Sequence, residues 1–345
     1  MPLHFNRQLI EWHQPDKRDL PWKKARDPYK IWLSEVILQQ TRVEQGTSYY
    51  LTFVQRFPNV KVLADAPIET VLKHWEGLGY YSRARNLHAA AREIMDKHKG
   101  KFPRNYNDIR ALKGVGDYTA AAIASFAFGL PHAVVDGNVY RVLSRVFGIS
   151  SPIDSTEGKK QFKDLAEKLL NRKDPGAHNQ ALMDLGSLVC KARNPDCQNC
   201  PFSPDCKAYA SKNWQDFPVK ARPQLKRDRH FHYFVLHDGK ETLIQQRDQK
   251  DIWEKLFQFP LQESKSRRVK LPAILPSTVE KPKAFCYRQV LSHQVIHGYF
   301  YEIRIKSLKK TRIEKAGAVS LKDVKNFAFP KIINLYLQER LKCLS

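Results

Sequence analysis

Hydrophobic spacing changes once along this chain, and the change limits what it can fold into. Up to about residue 215, apolar residues recur at helical spacing in 31–38, 71–75, 87–95, 120–128, 139–147, 162–170 and 181–189. Each run presents a stripe that must be buried against other helices. From residue 230 the period shortens. HFHYFVLHDGKETLIQQR reads as two strands around an Asp238-Gly239 turn, which is a hairpin signal. AFCYRQVLSH and VIHGYFYEIRIK read as further strands, with a basic, proline-rich loop over 262–283 before the first of them and a last helix over 330–342. Between the two regimes, residues 216–229 hold two prolines and five basic residues against two acids, the composition of a linker. The prediction is an all-α domain over 1–215 and an α+β domain over 230–345.

The chain carries 59 Lys+Arg against 35 Asp+Glu, a formal net charge of +24, where a small soluble domain usually carries ~2–8. Nucleic acid is the partner that best uses such an excess, because each neutralised phosphate releases counterions. No run of ~18 apolar residues is present to span a membrane. The opening MPLHFNRQLIEWHQ lacks a secretory apolar core and reads as an amphipathic helix. A cytoplasmic location is expected from the absent signals. In that compartment six cysteines point to metal rather than disulfides. Cys190, Cys197, Cys200 and Cys206 are separated by six, two and five residues. Four thiolates suit zinc or an iron–sulfur cluster, and a single Cys-x-x-Cys unit favours iron–sulfur. Cys286 and Cys343 read as ordinary thiols.

Three polar features interrupt the apolar runs. In LKGVGDYTAAA, Gly114 and Gly116 let a ligand approach the backbone, and the following helix offers free N–H groups, an anion site. In AVVDGNVYRV, Asp136 precedes a helix. Turn and cap chemistry explains it. A helix N-terminus also keeps a carboxylate ionised, as an oxocarbenium-like transition state requires. In IWLSEVILQQT, Glu35 is flanked by Trp32, Leu33, Val36, Ile37 and Leu38, and on a helix shares a face with Gln39 and Arg42. That face is either a solvent stripe or an acid in an apolar wall, its pKa raised so that it can protonate a base.

The cysteine spacing resembles the [4Fe–4S] loop of the endonuclease III superfamily of DNA glycosylases. Gly114, Gly116 and Thr119 resemble that superfamily's helix-hairpin-helix, which binds the DNA backbone. The resemblance implies that Lys191, Arg193 and Lys207 meet phosphates. It also makes Asp136, twenty residues after Gly116, the catalytic aspartate. Tyr118 stands where strand-nicking members carry a lysine, and a phenol cannot form a Schiff base. SEVILQQT, RDLPW, GLGYYSRARN and DGNVYRV closely resemble the MutY family of adenine DNA glycosylases, from Arg18 to Cys206 and more weakly beyond. Members remove adenine mispaired with 8-oxoguanine or guanine in double-stranded DNA.

By that resemblance Glu35 protonates the flipped adenine, Asp136 stabilises the sugar cation, and Tyr118 and Asn138 position the site. Arg18, Leu20, Trp22, Val43 and Gln180 match pocket positions. Gln40 and the Leu78-Gly79-Tyr80 loop match residues inserted into the duplex, and Arg83 and Arg85 could serve phosphates. Lys113 stands where proline is common, and Tyr140 where some members carry a lysine. GKETLIQQRDQKDIWEKLFQFPL resembles the start of a Nudix domain, as in MutT. The Glu-rich magnesium box is missing after Pro260, so hydrolysis is not expected. The family uses this domain to recognise 8-oxoguanine. Leu291-Ser292-His293 stands at its Phe-Ser-His signature, with Ser292 and His293 keeping the polar roles. The expectation is a monomeric, monofunctional adenine DNA glycosylase with a [4Fe–4S] cluster. Two alternatives are a bifunctional pyrimidine-lesion glycosylase/lyase and a non-catalytic DNA-damage-binding protein.

Overall fold

In a computed structural model of the chain, the described residues are 2–13, 19–23, 25–221, 226–269, 282, 284–308, 311, 313 and 315–344. They divide into two compact units, Met1–Asp65 with Ala89–Pro223, and Ala66–His88 with Gln224–Ser345.

The first unit is helical. Its elements are α1 (Pro2–Trp12), α2 (Pro28–Leu38), α3 (Val43–Arg56), α4 (Val60–Asp65), most of α6 (Ser82–His98), α7 (Tyr106–Ala111), α8 (Asp117–Phe128), α9 (Gly137–Phe147), α10 (Thr156–Leu169), α11 (Pro175–Leu188) and α12 (Lys207–Ala210). Local chemistry sets the boundaries near the site. Asp27 caps α2, accepting the Tyr29 N–H at 2.9 Å ahead of a first-turn proline. α8 starts after Gly116 and stops at Gly129, whose φ of 64° ends the helix in the left-handed region. α9 starts at Asp136 and stops at Gly148 in the same way. The apolar face of α9 meets α1, α10 and α11 in a core built on Leu9, Val142, Leu143, Phe162, Leu182 and Leu185.

The second unit holds a seven-stranded sheet among the described residues: β1 (Arg227–His237), β2 (Glu241–Gln246), β3 (Phe257–Gln258), β4 (Leu261–Ser264), β5 (Ala284–Val290), β6 (Gln294–Arg304) and β7 (Ala316–Ser320). The main order is β3-β2-β1-β6-β5, with β4 also on β1 and β7 also on β2. β1 and β6 run parallel, Phe231 opposite Gly298 and Tyr233 opposite Phe300. α13 (Lys331–Leu344) covers the sheet through Ile332, Ile333 and Tyr336. The fold class is as the spacing predicts, helices alone followed by α+β.

Three details differ. β1 opens at Arg227, inside the expected linker, because the chain there pairs with β6 from Gln294 onward. β4 (Leu261–Ser264) takes up 262–264 of the expected loop, pairing with His230–Tyr233; residues 270–281 and 283 of that loop lie outside the described residues. Residues 66–88, read as part of the helical domain, pack within the second unit. There Glu76 accepts from the Phe329 N–H at 2.8 Å and from Asn334 at 2.9 Å, and Lys73 donates to the Phe327 carbonyl at 3.0 Å. This segment carries α5 (Ile68–His74) and the turn with Tyr80.

Candidate active site

The helical unit contains a cleft of about 910 Å³ where α2, α8, α9 and α11 converge. Glu35, Tyr118, Asp136 and Asn138, far apart in sequence, all line it. Glu35 is 7% exposed. Burial raises its carboxyl to about 7; the Tyr118 hydrogen bond pulls the other way, and the nearby Asp136 charge adds to the rise. The Tyr118 hydroxyl donates to Glu35 Oε2 at 2.6 Å. Burial lifts that phenol well above its ordinary value, so it stays neutral.

Asp136 is the N-cap of α9. Its Oδ1 accepts the N–H groups of Asn138 and Val139 at 2.9 and 2.7 Å, and its Oδ2 accepts from Asn138 Nδ2 at 2.7 Å. Sequence reasoning expected the helix N-terminus to hold it ionised. Those backbone bonds do lower its pKa, but burial outweighs them and the net direction is up. Asn138 is held in turn by Arg141, which donates to Asn138 Oδ1 at 2.8 Å, Gly186 O at 2.5 Å and Cys190 O at 2.7 Å. Arg141 was missed, although its place one turn after Asn138 on the same helix was a legible signal.

Leu20, Trp22, Val43 and Gln180 line the same cleft. Trp22 packs edge-on against Tyr50 at 5.4 Å. Arg18 lies outside the described residues. The expected shared face of Glu35, Gln39 and Arg42 is not formed, because α2 ends at Leu38 and Arg42 becomes the N-cap of α3. Gln39 instead donates to Thr119 Oγ1 at 3.2 Å. The side chain of Thr119 is buried, which leaves its backbone N–H in the first turn of α8 as the group for a phosphate. Gln40 is exposed, outside the cleft, with a left-handed φ of 57°. Gly114 has φ 76°, and Gly116 caps α8 without a side-chain partner for the first N–H groups.

In the second unit Leu78, Tyr80, Ser292 and His293 line one pocket of about 400 Å³. Tyr80 is 45% exposed and left-handed at φ 47°, between Gly79 and Tyr81. Ser292 Oγ lies 3.0 Å from His293 Nδ1. Arg83 and Arg85 are engaged inside the unit, Arg83 buried over the Trp75 ring at 5.0 Å and Arg85 paired with Glu254 at 2.9 Å. Neither is placed as a free phosphate ligand.

Cys190, Cys197, Cys200 and Cys206 line a single pocket beside α9. Among the described residues no group of His, Cys, Asp and Glu is arranged to hold a metal ion. The donor set suits a larger cationic group. Burial drives the Cys200 thiol up to about 12, so thiolates there need positive compensation. Arg145 Nη1 already lies 3.5 Å from the Cys190 sulfur.

The description "HhH-GPD superfamily base excision DNA repair protein" matches residues 33–172, and a NUDIX domain matches 232–339. The adenine DNA glycosylase of Buchnera aphidicola subsp. Schizaphis graminum is 30% identical over 339 residues, 97% of this chain and 98% of that one. The chain belongs to the adenine DNA glycosylase family. The human adenine DNA glycosylase is 43% identical over 213 residues, 59% of this chain and 39% of its own length. A thermostable thymine-DNA glycosylase structure aligns over 61% of this chain and 97% of its own with TM-score 0.56 and 32% identity. An endonuclease III–DNA complex aligns at TM-score 0.53 and 22% identity, a likeness of fold. The chain is thus a base-excision-repair glycosylase of that family, with a helical domain followed by a Nudix-like domain. Among the described residues no helix is long and apolar enough to cross a membrane.

Proposed function

We propose that this chain removes adenine paired with 8-oxoguanine or guanine, and that it does so without an efficient strand-cutting step. The observation that carries the reading is the meeting of Glu35, Tyr118 and Asp136 in one cleft, with the Glu35 carboxyl held near neutrality. Glu35 in its acid form protonates a ring nitrogen of the flipped base. The bond from the sugar to the base breaks, and the electron pair leaves with the protonated adenine. Asp136 stabilises the positive charge left on the sugar. Water then adds to that carbon and gives its proton to the Glu35 carboxylate. Tyr118 and Asn138 orient the two carboxylates. A phenol at residue 118 has no amine to attack the sugar.

The helical domain is assigned to 1–215, the linker to 216–229 and the recognition domain to 230–345, with the 66–88 segment docked on the latter. Gly114, Gly116 and the N–H groups opening α8, Thr119 included, bind a DNA phosphate. Arg18, Leu20, Trp22, Val43 and Gln180 form the adenine pocket. Gln40, Leu78 and Tyr80 fill the duplex, and Ser292 and His293 read 8-oxoguanine. The left-handed backbone at Gln40 and Tyr80 supports this, since such strain of ~1–3 kcal/mol collects at functional sites. Cys190, Cys197, Cys200 and Cys206 would hold a [4Fe–4S] cluster, which when bound ties their loop together through four iron–sulfur bonds. The enzyme works as a monomer in the cytoplasm, on nucleoid DNA.

An end-labelled duplex with one adenine opposite 8-oxoguanine tests the reading. Strand breakage only after hot alkali is expected, and its loss in Glu35→Gln and Asp136→Asn. Breakage without alkali would assign a lyase to another amine. Tight binding with no breakage in either lane would make the protein a damage sensor.

A further inference from the structure

Two residues that line the cleft, His13 and Lys23, meet the buried Asp184 in an ionisable cluster that the proposed chemistry leaves unused. Asp184 on α11 is 2% exposed. Its Oδ2 accepts from Lys23 Nζ at 2.7 Å and lies 3.2 Å from His13 Nε2. Those two side chains are themselves nearly covered. Three parts of the chain meet there: α11, the residue following α1, and the irregular segment 19–23. That segment carries Leu20 and Trp22, which line the cleft together with Gln180 and Met183 from α11. Its backbone bonds are local, Lys23 N–H to Leu20 O and Ala25 N–H to Trp22 O. Lys23 reaches α11 through its side chain, on Asp184.

A buried ion pair adds little net stability, because desolvation offsets the attraction. It does fix a geometry, since neither charge tolerates being left alone in the interior. We propose that Asp184 is a positioning residue that sets the width of the base pocket. Through Lys23 it holds the Leu20–Trp22 wall at the distance from Gln180 and Met183 that admits a flat purine. The inference rests on the adenine-excision reading for the identity of the base. It gives Asp184 a part in recognising the base and none in breaking the bond.

Two measurements test it. The first is hydrogen exchange on the DNA-free protein, comparing the parent chain with Asp184→Asn and Lys23→Met. Faster exchange concentrated in residues 19–23 is expected. The second is binding to two duplexes, one with a non-cleavable 2′-fluoro adenosine opposite 8-oxoguanine, the other with a tetrahydrofuran abasic analogue in its place. The variants should bind the first about tenfold more weakly, and the second nearly as the parent does; Asp184→Glu should recover part of the loss. A pocket wall matters only when a base is present, whereas a general loss of stability would weaken both. Equal losses on both duplexes, faster exchange throughout the helical unit, or no change in either measurement would overturn the proposal. Should a single variant fail to fold, the double variant Asp184→Leu with Lys23→Met removes both charges of the pair and is judged by the same outcomes. If the parent chain binds the adenine duplex no better than a fully matched one, the adenine reading fails, while the exchange result still decides whether Asp184 holds the wall.

Discussion

At Glu35, burial and a hydrogen bond oppose each other, and burial wins. Its ordinary value of 4.5 rises to about 7 in the fold. Between those two pH values the unfolded chain has lost a proton that the native state keeps. The native state is therefore penalised progressively as pH rises through this window, by roughly 3 kcal/mol once above it. Glu35→Gln removes the penalty. The variant should melt higher than the parent at pH 8 and alike at pH 4, read by thermal scans of both. It should also lose excision at every pH, a case of stability gained where function needed strain. In the parent, single-turnover excision should fall as pH rises above about 7 and the acid form disappears. The low-pH limb belongs to Asp136, whose carboxylate is needed ionised and whose value burial also raises.

The pair α9 and α11 carries the next level of control. A Cβ on Gly186 would meet Asn138 Cβ at 2.6 Å and the Asn138 carbonyl at 3.0 Å. Only glycine lets α11 approach the turn that holds Asp136. Gly186→Ala should push α9 away and misplace the carboxylate. A displacement of about 1 Å can cost on the order of 10²-fold in rate. Single-turnover excision should drop by that order, while binding to an abasic duplex changes little; an unchanged rate would show that α9 has room to move. Arg141 spans the same contact, from Asn138 to the carbonyl of Cys190, so the order of the cysteine loop bears on the same aspartate.

For the whole molecule, the charge of +24 governs DNA affinity more than any one contact. Binding should weaken linearly in log affinity against log salt. For about 6–10 phosphates the loss is on the order of 10³–10⁵ between about 50 and 200 mM salt. Titration of a fluorescent duplex at several salt concentrations measures the slope, and a flat line would remove the role given to the basic excess. The second unit presents its pocket without the Glu-rich box of a hydrolase. Tyr80, Ser292 and His293 line that pocket together, as the proposed reading of 8-oxoguanine requires.

Much of this protein was legible in its residues, because spacing and local caps act over a few positions. Helical and strand periods separated the two architectures. Asp136 announced a helix start, and an acid among Trp32, Leu33, Val36 and Ile37 left a solvent stripe and a buried carboxyl as the two readings, of which the fold takes the second. Such signals say nothing about which distant segments meet. The parallel pairing of β1 with β6, the docking of residues 66–88 beside Phe329 and Asn334, and the ties of Arg141 and Asp184 depend on contacts between residues tens to hundreds of positions apart. The same limit explains the misplaced face of Glu35, Gln39 and Arg42, where the helix stopped one residue before Gln39. The sequence by itself determined the charge and the type of most elements, and it singled out Glu35 and Asp136 as the two carboxylates to follow. Only tertiary packing decided their protonation, because burial is a property of everything folded around them.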